Sequence, residues 1–174
     1  GRRNATAGVG ALAVGVALAR ALHALGAHAV GLKWPNDLLA TGTNAGAKLG
    51  GTLVETRAAA GGVAAIIGVG VNWRVVPDLE MRLRRRLAAL EEMLRPLPRR
   101  DRIVACLAAE LSRSLRVFES GGLAAFREEW ESLDAFRGRR LRVSAERGQV
   151  ISGYADGLAA DGLDPPWVDR AVAL

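Results

Sequence analysis

Apolar side chains recur at helical spacing along residues 7–25, at Val9, Leu12, Val16, Ala19, Leu22 and Leu25, among many alanines. That period predicts a long helix, and Gly26 supplies its stop signal. Val14 and Leu18 widen the apolar surface, so the helix is expected to be buried. Residues 30–33 read as a short strand, limited by Pro35, which holds Trp34 extended and removes a ladder donor. The Gly-, Thr-, Asn- and Ala-rich stretch 39–47 is expected to be a mobile hairpin loop. β-Branched residues are frequent in 49–56 and 63–72, with Gly61-Gly62 between them, which predicts an antiparallel strand pair in a central sheet.

The second half is mostly helical. Residues 79–94 read as an amphipathic helix ended by Pro96 and Pro98, with Arg82 and Arg84-Arg85-Arg86 on its solvated face. A second helix is expected over 101–119, its inner stripe formed by Ile103, Leu107, Leu111, Leu115 and Phe118, and Gly121-Gly122 breaks it. A short helix over 123–133 carries Phe126 and Trp130 four apart, a core-packing pair. From Arg139 short alternating segments take over: LRVS, a turn at Arg147-Gly148, QVISGYA, then a turn around Asp161-Gly162. Residues 165–174 make a poor strand.

Composition narrows the class. A chain of 174 residues, half of them hydrophobic, can bury one sizeable core with a small appendage. The single Cys106 excludes an internal disulfide framework, and with two histidines a metal cluster is not expected. The longest uncharged apolar run, 5–18, is too short to span a bilayer, so no membrane partner and a cytoplasmic location are expected. The net charge of +6 invites a nucleic-acid reading, but only 5% of residues are aromatic and none interleaves with the arginine cluster. The stacking platform of a single-strand binder is missing, and nucleic acid is not the expected partner.

The candidate chemistry lies in 31–73, which holds Lys33 and Lys48, Asp37, three asparagines and glycines at strand positions. Such a set suits an anionic ligand. Gly50 and Gly51 weaken a strand and are tolerated where a ligand or another backbone comes close, or where a β-bulge forms. Gly68 and Gly70 fall on one strand face, and Asn72 offers a donor and an acceptor, or simply a turn at the strand end. Lys48 is by spacing equally a ligand's cation or a solvated residue at a strand start. Asp37 can orient Lys48, help hold a magnesium-bound phosphate or anchor the turn after Pro35, while Lys33 can pair with Asp37 or meet phosphate. Trp34 reads as a core anchor.

Three blocks, Lys33-Trp34-Pro35-Asn36-Asp37, Lys48-Leu49-Gly50-Gly51 and Gly68-Val69-Gly70-Val71-Asn72, stand in the order seen in biotin protein ligases. The chain resembles the catalytic domain of that family, best over 7–73 and more weakly from 141 onward. The resemblance implies an α/β (α+β) fold, a mixed central sheet with packed helices, plus a small all-β SH3-like C-terminal domain. The division would fall at 1–135 and 136–174. It implies ATP-dependent activation of biotin to biotinyl-5'-adenylate and transfer to a lysine of the biotin carboxyl carrier domain of a carboxylase. Biotin and ATP would be substrates, with Mg2+ accompanying ATP. Lys48 would be the catalytic cation, touching biotin and adenylate. Gly50, Gly51, Gly68, Gly70 and Asn72 would line the ligand, and Lys33, Asn36 and Asp37 would support it. The family also carries, upstream of the first helix, a Ser-Thr segment, a Gln and a Gly/Arg-rich closing loop that this sequence does not show. Gly1-Arg2-Arg3 does not map onto that loop, and the winged-helix DNA-binding domain of some members is absent too. By itself the chain is therefore expected to be a poor enzyme. A lipoate-type protein ligase and a noncatalytic ligand-binding or regulatory remnant are the alternatives.

Overall fold

The computed structural model describes residues 2–60, 62–76, 78–144, 150–159 and 172–173. Helix α1 runs Arg2–Ala24, further toward the N-terminus than its period predicts. It ends where Gly26 takes φ +102°. There Ala27 N–H donates to Leu22 O and Gly26 N–H to His23 O, the paired bonds of a glycine-terminated helix. Four strands follow: β1 (Val30–Lys33), β2 (Asp37–Ala40), β3 (Lys48–Ala59) and β4 (Gly62–Val71). They form one sheet in the order β1-β2-β3-β4, each pair antiparallel.

The expected β3–β4 pair is present, with a ten-pair register from Gly50–Val71 to Ala59–Gly62. Two expectations need correction. The sheet is not mixed: among the described residues the parallel pairings are isolated bridges, at Leu32–Asp134, Lys48–Leu87 and Arg137–Ala155. Short connections such as 34–36 and 41–47 permit only antiparallel neighbours, because a parallel crossover needs a dozen residues or more. The stretch 39–47 is not all loop either. Asp37–Ala40 is a buried strand and only the 3-10 turn Gly42–Asn44 and its flanks are irregular.

The predicted helix over 79–94 is broken into α2 (Leu79–Leu83) and α3 (Leu90–Met93). Arg84 adopts φ +48°, and the backbone that follows is captured by the sheet. Lys48 N–H donates to Arg86 O and Ala88 N–H to Lys48 O, both at 2.9 Å. Helices α4 (Arg100–Gly121) and α5 (Arg127–Leu133) then close over α1. Leu12, Val16, Leu18 and Leu22 of α1 are fully buried between that layer and the sheet. Phe126 is buried under the Arg20 guanidinium, whose carbon lies 5.5 Å from the ring centroid. Arg20 also pairs with Glu129 of α5 and lies 3.6 Å from Glu110 of α4, joining three helices.

Strands β5 (Arg140–Ser144), β6 (Val150–Tyr154) and β7 (Val172–Ala173) make a separate antiparallel sheet with β5 in the centre. The expected turns at Arg147-Gly148 and Asp161-Gly162, and most of 165–174, lie outside the described residues. Arg127 of α5 holds this part by donating to the carbonyls of Leu158 and Ala159 at 2.9 and 2.8 Å.

The helical layer covers only part of the main sheet. Leu53 and Ile66, cross-strand neighbours of Gly68 and Glu55, remain 63% and 53% exposed. Among the described residues no strand pairs with the outer edge of β4. No helix among them is long and apolar enough to cross a membrane.

Because Phe126 fills the junction of α1, α4 and α5, Phe126→Ala should cost about 3–5 kcal/mol, as expected for an aromatic ring removed from a closed core. Urea unfolding of the two proteins measures it.

Candidate functional site

Asp37, the first residue of β2, is the charged centre. Its carboxylate is nearly buried, with Oδ1 paired to the Lys48 ammonium. Oδ2 accepts from Arg85 Nη2 at 2.8 Å and lies 3.9 Å from Lys33 Nζ. Burial alone would raise its pKa. The hydrogen bonds and charges of Lys48 and Arg85 outweigh burial and hold the carboxyl below its ordinary range.

Register explains why these groups meet. Lys33 sits opposite Asp37 in the β1–β2 ladder, and Asp37 sits opposite Gly51 in the β2–β3 ladder. Lys48 is three residues before Gly51, an odd separation that would place it on the other face of a regular strand. The β2–β3 register shifts between Leu38 and Leu39, so that Leu49 has no opposite residue. This bulge returns Lys48 to the face of Asp37 and Gly51. Asn36 fixes the turn before Asp37: its Nδ2 donates to Thr52 O at 2.6 Å, and Thr52 N–H returns a bond to Asn36 O at 2.9 Å.

The glycines divide into two kinds. A Cβ on Gly50 would overlap the Gly70 carbonyl oxygen and lie 3.1 Å from Val71 Cα. On Gly51 it would lie 3.0 Å from Asn36 O, 3.3 Å from Asp37 Oδ1 and 3.6 Å from Lys48 Nζ. At both positions the missing side chain lets other protein atoms come close. Gly68 and Gly70 differ. Their nearest neighbours would be 3.7 and 4.0 Å away, so they leave an open floor beside Gly51 on the face turned away from α1.

Asn72 spends both amide hydrogens on backbone, donating to Lys48 O at 3.1 Å and to Ala88 O at 3.0 Å. Its Oδ1 is left as the group that can meet a ligand. Beyond it lies a cavity of about 230 Å³ lined by Asn44, Asn72, Val75, Leu79, Arg86 and Leu87. A larger one, about 630 Å³, lies between β4 and α4 against Val69, Val71, Ile103, Leu107 and Leu111. It is lined chiefly by apolar side chains. At its rim Trp73 is flanked by the guanidinium groups of Arg74 and Arg100, 4.8 and 4.2 Å from the ring centroid.

The structure thus brings Lys33, Asn36, Asp37, Lys48 and Gly51 into one cluster and places Gly68, Gly70 and Asn72 at its borders. Sequence reasoning missed Arg85, assigned there to a solvated helix face. No local signal reveals it, because Arg85 is placed by the bonds that Arg86 and Ala88 make to the backbone of Lys48. Among the described residues no three His, Cys, Asp or Glu side chains are grouped to hold a metal ion.

Gly50→Ala should destabilise the protein by about 1–3 kcal/mol through overlap with β4. Gly70→Ala, which has room, should stay within about 0.5 kcal/mol of the parent; thermal melts of the two variants test the contrast. Asp37→Asn should cost about 1–3 kcal/mol near neutral pH, the scale of hydrogen bonds to charged groups. Since folding lowers this pKa, the Asp37 contribution is complete above about pH 4 and fades as pH falls through the folded value. Urea unfolding of both proteins between pH 7 and 3 should show the difference shrinking on acidification.

Residues 3–72 match the model of the Biotin/lipoate A/B protein ligase family. Bifunctional ligase/repressor BirA of Escherichia coli (strain K12) is 33% identical over 172 residues, covering 94% of this chain and 52% of that protein. The protein of the same name from Salmonella typhimurium is 31% identical with the same coverage. The chain spans about half the length of these curated relatives. Among solved structures, the apo biotin protein ligase from Aquifex aeolicus aligns with a TM-score of 0.72 at 23% identity, over 90% of this chain and 66% of that one. The same ligase in complex with biotin and ATP gives 0.67 at 23% identity, over 87% and 61%. Residues 3–72 thus carry the sequence likeness to the biotin/lipoate protein ligases, and the chain shares its fold with the solved biotin protein ligases.

Proposed function

We propose that the chain carries the catalytic core of a biotin protein ligase, forming biotinyl-5'-adenylate from biotin and ATP and passing biotin to a lysine of a carrier domain. One observation carries this reading: Lys48, held by Asp37, has its ammonium close to Gly51, opposite Gly70 of the open floor, and its carbonyl bonded to Asn72, which lines the cavity. Biotin would lie along the floor with its carboxylate toward Lys48. The adenine would enter the cavity, where Asn72 Oδ1 accepts from its amino group and Leu87 gives an apolar wall. The α-phosphate then falls beside Lys48.

Joining the two anions requires fixed positive charge. A carboxylate oxygen forms a bond to the α-phosphorus, and the bond from that phosphorus to the bridging oxygen breaks, so pyrophosphate leaves with the electron pair. Lys48 stabilises the charge on the α-phosphate as this happens. In the second step the carrier's neutral lysine amine attacks the acyl carbon and AMP departs. Asp37 already serves three cations, so it works as their anchor; Mg2+ would travel with the nucleotide phosphates. The sheet of β5, β6 and β7 would form part of a small all-β, SH3-like domain over 136–174. A cytoplasmic location suits a carrier found among metabolic enzymes. Lipoate ligation is not favoured, because the solved structures of this fold named above are biotin protein ligases.

In the full-length protein, Lys48→Ala should fold normally and lose biotin-dependent ATP–pyrophosphate exchange by about a hundredfold to a thousandfold. Parent-like exchange would overturn the role of Lys48. Titration with biotin and lipoate in parallel should favour biotin, and stronger lipoate binding would replace the substrate assignment.

A further inference from the structure

We infer that Arg85 is a phosphate-binding residue of this site, meeting the β- and γ-phosphates of the nucleotide. The inference rests on the proposed function for the identity of the anion, and on geometry for the rest. Asp37 is one negative charge, and Lys33, Lys48 and Arg85 all lie within 4 Å of it. Lys48 alone neutralises a single carboxylate, so Arg85 brings to the cluster positive charge that Asp37 does not require and that an added anion can meet.

The remaining hydrogen-bonding capacity of Arg85 points the same way. A guanidinium carries five N–H donors in a planar fork suited to phosphate, and Asp37 takes one of them, through Nη2. The Arg85 side chain is 40% exposed, so part of the fork is open to a ligand while Asp37 stays held. Its place is set by backbone. Arg85 N–H donates to Glu80 O at 3.1 Å, and the next residue, Arg86, accepts from Lys48 N–H. Arg86 also lines the Asn72 cavity and donates to Asn44 Oδ1 at 3.3 Å. The segment 85–88 therefore runs from Asp37 and Lys48 to the cavity. A nucleotide with its base in that cavity and its α-phosphate at Lys48 extends its outer phosphates past Arg85. As the bond between the α-phosphorus and the bridging oxygen breaks, Arg85 is placed to take up the negative charge gathered on pyrophosphate.

The test uses the full-length protein with Arg85→Gln and Arg85→Lys, titrated calorimetrically with inorganic pyrophosphate, ATP and biotin, with thermal melts alongside. Arg85→Gln should weaken pyrophosphate and ATP binding by about tenfold or more, the scale of one lost charge-assisted bidentate contact. Arg85→Lys, which keeps the charge beside Asp37 but loses the fork, should recover part of it. Biotin affinity should stay within about twofold in both. Unchanged pyrophosphate affinity in Arg85→Lys and Arg85→Gln overturns the inference, as does a parent protein that binds no pyrophosphate. A parallel loss of biotin affinity and melting temperature makes Arg85 merely structural. If the parent binds pyrophosphate through Arg85 but no biotin, the ligase reading falls and the phosphate site stands.

Discussion

A carboxylate taken out of water must be paid for by partners, and Asp37 recruits three. Lys33 comes from the end of β1, Lys48 from the start of β3, and Arg85 from a segment nearly fifty residues further along. None of the three could reach Asp37 without the correct strand register. The charge cluster is therefore a test of tertiary assembly as well as a site: a slip of one residue in β2 would turn Asp37 to the opposite face and strand three cations. The bulge at Leu49 belongs to the same constraint, since it alone restores Lys48 to the face where its partner lies.

Backbone carries much of the remaining order. Asn72 ties Lys48 O to Ala88 O, and the 86–88 segment adds two further bonds to Lys48. Lys48 is thus held at both its main-chain groups and at its ammonium. A cation fixed in this way loses little freedom when an anion arrives, which is the condition for electrostatic stabilisation of a developing charge. The glycines complement this rigidity from two sides. Gly50 and Gly51 let strand, turn and ion pair approach closely, and Gly68 and Gly70 keep the neighbouring surface empty.

The helical layer plays a different part. Alanine-rich α1 is narrow enough to pack against the sheet on one side and α4 and α5 on the other, with Arg20 and Phe126 closing the three-helix junction. It anchors β1, β2 and the first half of β3 firmly. The far halves of β3 and β4 project beyond it with Leu53, Val63 and Ile66 exposed, so the site lies where the well-covered and the open parts of the sheet meet.

The sequence by itself determined the elements whose signals are local. Helical period and Gly26 fix α1, the stripe from Ile103 to Phe118 fixes α4, and β-branched runs about a glycine pair fix β3 and β4. The three ordered blocks likewise carry the likeness to the biotin/lipoate protein ligases and single out Lys48 and Asp37 as candidates. Tertiary structure decided what depends on distant backbone. Residues 79–94 have a helical pattern, yet their middle becomes extended because Lys48 offers an N–H and a carbonyl to Arg86 and Ala88. Leu39 and Ala40, at the start of the expected loop, become part of a strand because β1 and β3 pair with β2 on both sides. Arg85 joins the site only through that capture, and the purposes of Gly50 and Gly70 separate only once the strands are laid together. In each case the deciding partner is an unpaired backbone group or a buried charge far away in sequence, which periodicity cannot report.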